Sequence, residues 1–487
     1  MSRAQTARAK NLALALLAMA QFVVVLDASI VNVALPSIGR DLDFAQEDLS
    51  WVVNAYTLMF GGFLLLGGRL ADLLGRRRLF IWGMWLFALA SLAGGVAQSD
   101  IWLVVARAVQ GLGAALISPA ALSIVTTTFA EGAERNKALG VWGAVAGSGG
   151  AAGVLLGGIL TEWLGWEWVL FVNTPIGIVA ALLAPRLLGE SHDASSPSFD
   201  FAGAVSVTAG LGLLVYTLVD AESAGWASTQ TLVLGALSLL LLVTFLAIEA
   251  RRRYPLMPFS IFRLRTLRGA NVIGLLIGMS LFSMFFFISL YMQQVLGYEP
   301  LKAGVAYLPL AGLIIISAGV ASQLVTRIGF KPTLIAGLLF VAGGLLWFGQ
   351  VSAPGGSYAG DILFPSMVAA VGLGLAFVPV TIASVTGTRP DEAGLASGLI
   401  NTSQQVGGAL GLAVLATVAN GRTEDVLAAG ERNPAVALTE GFQDAFLVGA
   451  GLALLAAVLA ATMISSRDSR EHSEAARRGE AAPVAAA

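Results

Sequence analysis

The sequence predicts an all-helical membrane protein with fourteen transmembrane helices, and three observations carry this prediction. Hydrophobic residues make up 57% of the 487 residues, and charged residues make up only 12%. A soluble globular protein has roughly 25% charged residues. The chain contains about fourteen apolar runs near the length of about 20 residues that a spanning helix needs. Lys and Arg are concentrated in alternate connecting segments, as the positive-inside rule requires of cytoplasmic loops.

The apolar runs follow one another along nearly the whole chain. Each is predicted to be a helix, because hydrocarbon offers no partners for free backbone groups. The short alternating strands of a membrane barrel are absent from the sequence. The approximate limits of the runs are 11–34, 49–68, 79–98, 101–124, 138–161, 168–185, 201–219, 230–248, 269–291, 303–325, 333–350, 361–385, 394–419 and 443–464.

The positions of the 28 Lys and Arg residues predict that both termini are cytoplasmic. With that orientation, most of these residues fall on the cytoplasmic side, and one, Arg107, lies within a span. The outer segments hold only Arg40, Lys302, Arg422 and Arg432. The first apolar run lacks an A-x-A cleavage site, so it is predicted to be a span and not a signal peptide. The charged, Ala-rich stretch 465–487 is predicted to be a disordered cytoplasmic tail.

Composition also limits the chemistry of the chain. There is no Cys, so disulfides and thiolate chemistry are excluded. His192 and His472 both lie in segments that are predicted to be polar connections, so no metal site or His proton relay is expected in the core. The loops offer neither a catalytic cluster nor a sizeable soluble domain. An enzyme is therefore not expected, and neither a cofactor nor a bound metal is predicted.

An internal repeat predicts two related halves. GRLADLLGRRR (68–78) and SQLVTRIGFKP (322–332) place a Gly at the same offset, and these glycines, Gly75 and Gly329, are 254 residues apart. This shift fits a six-helix bundle at 11–185, inserted helices 7 and 8 with a cytoplasmic linker at 186–268, and a second six-helix bundle at 269–464. Duplicated halves are typical of transporters.

Two full charges lie away from the ends of the predicted spans, Asp27 and Arg107. Each lies about 10 Å below the outer end of its helix at 1.5 Å rise per residue, so the two can form a pair. A static ion pair is one interpretation. The other is a proton-responsive carboxylate, because burial disfavours the charged form of an Asp and a nearby Arg favours it. A change in their separation would then take up or release a proton.

Several motifs together resemble those of the fourteen-helix drug:proton antiporters, a branch of the major facilitator superfamily. LDASIVNVALP (26–36) resembles the first-helix motif, and LVVARAVQGLGAA (103–115) resembles the motif of span 4. GRLADLLGRRR resembles the signature loop between spans 2 and 3, with Gly68, Asp72, Gly75 and Arg76 in place. WEWVLFVNTPIG (166–177) resembles the start of span 6, with Glu167 where Arg is typical. The resemblance implies a major facilitator fold and an inner gate at Asp72 and Arg76. The bland alternative is that Arg76 to Arg78 only orient the chain.

Span 5 resembles the antiporter motif of the same family. Its glycines are Gly140, Gly149, Gly153, Gly157 and Gly158, and Val154 stands where the motif has Pro. Without that Pro, the helix is expected to bend less. The small-residue face allows close approach of another helix. It is interpreted either as ordinary packing or as a contact between the two halves that slides during turnover.

Substrate contacts are expected among polar and pliable apolar side chains in or near the spans. The Met- and Phe-rich stretch 279–294 suits varied lipophilic ligands, although an orientation toward lipid is an equal alternative. Polar groups facing a cavity would contact substrate, whereas others would bond neighbouring helices. The candidates are Asn32, Asn54, Gln110, Phe282, Met284, Phe285, Gln294, Asn401 and Gln405.

These observations predict a proton-coupled antiporter that exports lipophilic small molecules, such as drugs, antibiotics or dyes, by alternating access. A proton-coupled importer of a small organic solute with the same fold is the alternative. The expected location is the plasma (inner) membrane, as a multi-pass monomer. The expected partners are protons, lipid and the lipophilic substrate. Basic segments are assigned to orientation and lipid contact and not to nucleic acid.

Overall fold

Helices form all the regular structure in the residues that the computed structural model describes: 3–44, 49, 51–130, 132–190, 200–252, 255–353, 355–389 and 392–478. The first half contains α1 (Arg3–Asp41), α2 (Trp51–Leu74), α3 (Arg76–Gly95), α4 (Asp100–Thr128), α5 (Ala133–Trp163), α6 (Trp168–Phe171) and α7 (Asn173–Leu187). The inserted pair is α8 (Phe201–Ala224) and α9 (Thr229–Glu249). The second half contains α10 (Arg265–Leu290), α11 (Pro300–Ala306), α12 (Leu308–Ile328), α13 (Phe330–Phe348), α14 (Phe364–Val385), α15 (Ala393–Ala428) and α16 (Pro434–Met463), and α17 (Ser466–Arg478) follows. Short turns are a 3-10 helix at Phe259–Arg263 and π-helices at Tyr291–Val295 and Tyr358–Leu363.

Each predicted apolar run has a helix at its position. Within the described residues, 11 helices are long and apolar enough to cross a membrane, or 12 when the bent α5 counts as one span. The apolar part of α8, Ala202–Leu218, is shorter than this criterion requires, and α15 does not meet the criterion. Asn401, Gln404 and Gln405 lower the hydropathy of α15. The chain is therefore a multi-pass membrane protein, and fourteen crossings stay a prediction.

The two halves meet along a seam between helices. Helices α2 and α4 of the first half pack on α15, and α5 packs on α12 and α14. The inserted α8 lies against α2 and α15, and α9 packs on α8. A Cβ added to Gly62 of α2 would lie 3.1 Å from the Cα of Gly212 in α8, so the inserted helix approaches closely at this point.

One end of the bundle holds the α2–α3 and α12–α13 turns, with Arg76–Arg78 and Lys331; we call it the basic end. Both turns contain a glycine with positive φ, 106° at Gly75 and 90° at Gly329. L-residues rarely adopt this backbone conformation. The two copies of the repeated motif therefore share one backbone geometry.

The prediction of a disordered tail from residue 465 is wrong for Ser466–Arg478, which forms α17 at the basic end. Residues 479–487 of that prediction lie outside the described residues. This stretch has a helical periodicity that its charged composition does not reveal. Ser469, His472, Ser473 and Ala476 share one buried face. His472 is thus buried and does not lie in a polar connection, whereas His192 lies outside the described residues.

Helix α5 bends by 42° between Ala133–Gly150 and Ala152–Trp163. The bend forms with Val154 where the motif has proline, and a smaller bend than the proline would produce stays a prediction. Gly-rich segments are a recognised cause of helix kinks. The run GSGGAAG (147–153) lies at the bend and supplies that cause.

Candidate functional site

Asp27 lies within a buried polar cluster formed by α1, α3, α4 and α7. Its Oδ2 accepts a hydrogen bond from Arg107 Nη1 at 2.6 Å. Its Oδ1 accepts from Gln110 Nε2 at 2.7 Å and from Asn173 Nδ2 at 2.6 Å. Asp27 is 0% exposed and Arg107 is 1% exposed. The pair that equal depth allowed is therefore formed, and two amides complete the shell of donors around the carboxylate.

A serine of α3 ties the two amides together. Ser91 Oγ accepts from Gln110 at 2.8 Å and from Asn173 at 3.2 Å. Its own hydroxyl donates to the Leu170 carbonyl at 3.0 Å. The amides consequently present their donors to Asp27 in a fixed orientation, which stabilises its ionised form.

Arg107 is held from three further directions. Its Nε donates to the Val52 carbonyl at 2.9 Å, and Nη1 also donates to Gln110 Oε1 at 2.7 Å. The guanidinium carbon lies 4.5 Å from the ring centroid of Tyr56, a cation–π contact. Tyr56 itself donates to the Val24 carbonyl at 3.1 Å. Removing one partner of such a buried pair typically costs about 3–5 kcal/mol, because the other charge stays uncompensated.

The cluster is incompletely satisfied. Among the described residues, Arg107 Nη2 and Asn173 Oδ1 are buried and have no hydrogen-bond partner. An unsatisfied buried polar group costs about 1–3 kcal/mol.

The glycines of α5 pack directly against the segment of α1 that carries Asp27. An added Cβ on Gly149 would lie 2.8 Å from Val25, and one on Gly153 would lie 2.7 Å from the Leu26 carbonyl oxygen. Gly157 approaches Ile30 in the same way. These three glycines therefore contact a helix of their own half, so a sliding contact between halves is the wrong interpretation for them. The bend of α5 is thereby packed closely against the segment of α1 that carries Asp27.

The other two glycines of the motif face the second half. An added Cβ on Gly140 would lie 2.8 Å from Ser322 of α12, and one on Gly158 would lie 3.3 Å from Leu301 of α11. Contact with the second half is thus made by the two outermost glycines of the motif, whereas the prediction concerned Gly149, Gly153 and Gly157. Between these two positions along α5, Gly149, Gly153 and Gly157 pack on the segment of α1 that carries Asp27.

Asp72 joins the halves at the basic end. Its Oδ1 accepts from the Gly394 amide and its Oδ2 from the Leu395 amide, both at 3.0 Å. These amides belong to the first turn of α15, where a negative charge is favourable. Arg76 Nη2 lies 2.9 Å from Oδ1, and both side chains are buried. Asp72 therefore contacts both a helix N-terminus and a basic side chain.

Glycines allow this contact between α2 and α15. An added Cβ on Gly68 would lie 2.5 Å from the Gly394 carbonyl oxygen and 3.1 Å from the Cα of Gly398. Any larger residue at Gly68 would push α15 away. The signature loop thus brings backbone against backbone at the seam and places one buried carboxylate on a helix terminus.

Comparison with known proteins identifies the family. Residues 17–412 match the profile of the Major Facilitator Superfamily. The chain belongs to this superfamily. It is 40% identical over 453 residues to the puromycin resistance protein pur8 of Streptomyces alboniger, covering 92% of this chain and 90% of that protein. It is 43% identical over 415 residues to the cephamycin export protein CmcT of Amycolatopsis lactamdurans, covering 84% and 85%.

A solved structure agrees with this assignment at the level of fold. The human organic anion transporter MFSD10 matches with a TM-score of 0.66 over 93% of this chain and 99% of that one, at 16% identity. At that identity the likeness shows the fold alone. The chain therefore has the all-helical fold of the facilitators and belongs to a family of transporters.

The structure places two of this facilitator's predicted substrate contacts inside the protein. Gln110 is buried and binds Asp27, and Met284 is only 1% exposed. Neither side chain can contact a substrate in this arrangement. Met284 lies on the inward face of α10 because it is one helical turn from the buried Ser280 and Ile288.

The remaining candidates have accessible or partly accessible side chains. Phe282 is 41% exposed and lies over Gly408 of α15. Phe285 packs on Tyr307 with ring centroids 5.8 Å apart, and Asn401 donates to the Ser397 carbonyl of its own helix. Asn32 and Gln294 are exposed, and Asn54 and Gln405 are half-buried.

The sequence-based analysis missed several members of the buried cluster. Asn173 was visible only as one polar residue in the span 6 motif, and Ser91 and Tyr56 had no signal at all. A serine in an apolar helix usually bonds its own backbone. Its role as a bridge between two amides requires the packing of α3 against α4 and α7.

Proposed function

We propose that this facilitator exports lipophilic, antibiotic-like small molecules in exchange for protons, with Asp27 as the coupling carboxylate. The names of the similar proteins, a puromycin resistance protein and a cephamycin export protein, support the substrate class. The observation that carries the mechanism is the buried ion pair of Asp27 and Arg107 at 2.6 Å. The proposal includes fourteen spans, a monomer in the plasma membrane and a cytoplasmic basic end with both termini.

The coupling follows from what surrounds Asp27. Three donors contact the carboxylate of Asp27, which has no exposed surface. Proton uptake therefore requires the cluster to open. Neutral Asp27 would release Arg107, whose unused Nη2 then needs new partners. The two protonation states consequently favour different packings of α1 and α4.

Alternating access requires the seam to open at one end at a time. At the basic end, the seam is closed by Asp72 on the α15 terminus and by the close backbone approach at Gly68. We assign Asp72 and Arg76 to the cytoplasmic gate. Close packing of α5 on α1 provides a mechanical connection between Asp27 and the seam, since α5 also contacts α12 and α14.

Transport in inverted membrane vesicles tests the proposal, with puromycin and ethidium as probes. An acidic vesicle lumen should drive accumulation of the probe if the protein is a proton antiporter. An importer would move the probe in the opposite direction. Asp27→Asn should reduce gradient-driven accumulation at least about tenfold, because the carboxylate can no longer exchange a proton. Full gradient-driven transport by this variant would remove Asp27 from the mechanism.

Two controls separate coupling from folding. Asp425→Asn changes an exposed carboxylate and should transport normally. Asp27→Glu keeps the charge opposite Arg107 and should retain more proton-driven transport than Asp27→Asn. All variants should be compared at equal amounts of monodisperse protein, because Asp27→Asn leaves Arg107 without a counter-charge.

A further inference from the structure

The C-terminal helix α17 is docked at the basic end by contacts along its length. Asp468 accepts a hydrogen bond from Thr266, which precedes the first apolar turns of α10, at 2.5 Å. Ser469 Oγ accepts from the Lys331 amide at 3.0 Å. Near its end, Arg477 donates to the Arg327 carbonyl. These contacts hold α17 across the ends of α10, α12 and α13, all in the second half.

His472 reaches from this helix to the first half. Its Nε2 lies 2.9 Å from Oδ1 of Asn136 in α5. Asn136 Nδ2 in turn donates to Thr326 Oγ1 of α12 at 3.0 Å, and Thr326 donates to the Ser322 carbonyl at 3.0 Å. Asn136 is fully buried. One side chain of the first half is thus bound simultaneously by α12 and by the C-terminal helix.

The direction of the hydrogen bonds defines the state of His472. The Asn136 amide nitrogen donates to Thr326, so the Asn136 oxygen is the atom that faces His472. This oxygen is an acceptor, and His472 Nε2 must therefore donate to it. The chain then runs in one direction, from His472 through Asn136 and Thr326 to the Ser322 carbonyl. The imidazole ring also packs edge-on against Phe330, with centroids 5.6 Å apart, which orients the donor.

We propose that α17 is a second latch at the basic end, in which His472 positions Asn136 and holds the α5–α12 seam closed. The latch rests on the alternating-access function proposed above. His472 is a positioning residue, since it acts through Asn136 and contacts neither the coupling cluster nor the predicted substrate contacts. Opening of the seam at this end requires Asn136 to separate from both Thr326 and His472, because α17 is docked on the same half as Thr326.

The charge environment makes this latch strongest with a neutral His472. Burial, and then the nearby Arg135, lower the pKa of His472 to about 4. The undocked side chain has a pKa near 6.5, so docking is at full strength above pH 6.5 and weakens as the pH falls toward 4. Arg135 opposes a positive charge on His472, and the charged groups on the elements around it are of both signs. In α5 they are Arg135 and Glu134, and Glu134 pairs with Lys10 of α1. The others are Arg327 of α12, Lys331 of α13, and Asp468 and Glu471 of α17 itself.

The absence of cysteine allows a clean test of the latch. Ser322→Cys places a reporter thiol in the α5–α12 seam, opposite Gly140, while its backbone carbonyl still accepts from Thr326. Alkylation by an impermeant maleimide in inverted vesicles measures how often the seam opens. In this background, His472→Phe keeps the aromatic contact with Phe330 but loses the donor. His472→Gln keeps an N–H donor, and Glu474→Gln alters an exposed residue of the same helix.

His472→Phe should raise the alkylation rate about two- to tenfold, the effect of one lost hydrogen bond. His472→Gln should lie closer to the parent, and Glu474→Gln should match it. Equal rates for His472→Phe and the parent would overturn the latch. Maleimide alkylation needs neither substrate nor a proton gradient, so a failure of Asp27 in transport would leave this measurement unaffected, and the two proposals fail separately.

A pH series keeps the test valid if His472→Phe is poorly folded. Between pH 7.5 and pH 5, the alkylation rate of the parent reporter should rise about tenfold or more relative to His472→Gln. Gln does not titrate, so it corrects for the pH dependence of the thiol itself. A constant ratio between the two chains over this range would also overturn the proposal, because a merely structural helix would not respond through His472.

Discussion

The two turns at the basic end have the same framework and different chemistry across the seam. In the first half, Arg77 donates from its amide to Glu190 and from its guanidinium to the Leu188 carbonyl, just after α7. In the second half, Lys331 donates from its amide to Ser469 and from its ammonium to the Ile464 carbonyl, just after α16. Gly75 and Gly329 share a positive φ. The duplicated element thus keeps its turn and its tether to the last helix of each bundle.

The contacts that cross to the other half differ. Asp72 binds two amides at the start of α15 and pairs with Arg76. The residue 254 positions later is Thr326, a neutral side chain that accepts from Asn136 near the start of α5. The first contact combines a buried charge with a helix terminus, whereas the second is a chain of neutral hydrogen bonds. The contact at Asp72 therefore depends on electrostatics, whereas the contact at Thr326 depends on the added helix α17.

The largest effect is expected from Asp72→Asn, which removes the charge of the first contact. Arg76 would then lose the carboxylate of Asp72, and removing one partner of a buried pair costs about 3–5 kcal/mol. We expect transport to fall at least about tenfold, and a Ser397→Cys reporter in the adjacent turn of α15 to be alkylated at least about tenfold faster. Ser397 is fully buried in the closed structure. An unchanged alkylation rate at Ser397, with Asp425→Asn as the control, would contradict the gate.

A smaller effect should distinguish Gly329→Ala from Gly75→Ala. Both force an L-residue into a left-handed conformation, which costs about 1–2 kcal/mol. At Gly75 the added Cβ would lie 2.7 Å from the end of the mobile Glu190 side chain, whereas at Gly329 it would lie 2.6 Å from the backbone oxygen of Ser469. Gly329→Ala should therefore lower the unfolding temperature more and displace α17.

Alkylation of the Ser322→Cys reporter gives a second measurement of the difference between the two glycine variants. It should accelerate in Gly329→Ala and stay near the parent rate in Gly75→Ala, because only the former disturbs the docking of His472. The interpretation fails if both glycine variants change the two reporters, at 322 and 397, equally. The unfolding temperature should be measured in the same detergent for both proteins.

The smallest effect is expected from Thr326→Val, which keeps the shape of the side chain and removes the acceptor for Asn136. A single neutral hydrogen bond contributes about 0.5–1.5 kcal/mol, so alkylation at 322 should rise only a few-fold. Thr326→Ser restores the hydroxyl and should return the rate to that of the parent. An effect on alkylation as large as that of Asp72→Asn would show that the contacts at Asp72 and at Thr326 are of the same kind.

Much of the site followed from the sequence because charges are rare in this chain. Asp27 and Arg107 were visible as isolated charges in apolar runs, and their equal depth allowed the pair that the structure forms. The acceptor role of Asp72 followed from its place beside basic residues. By contrast, Gln110 and Met284 were assigned to substrate, since a sequence does not show which side of a helix faces a cavity and which faces its own bundle.

The C-terminal helix shows the limit of composition. A stretch of Arg, Glu, Ser and Ala is read as disordered when its hydropathy alone is considered. Its buried face consists of serines, alanines and one histidine, which need specific partners and not merely an apolar surface. Those partners, Thr266, Lys331 and Asn136, lie far apart along the chain.

The sequence by itself determined that this protein is a bundle of membrane helices with duplicated turns and two isolated charges, Asp27 and Arg107, deep within its spans. Apolar length, charge bias and the repeated glycine are local properties, and hydrocarbon leaves the backbone no alternative to a helix. Only the tertiary structure decided that Ser91 orients two amides toward Asp27, that α5 packs its glycines on α1, and that His472 reaches Asn136. These contacts join residues from distant segments, so their distances and hydrogen-bond directions exist only once the helices are packed.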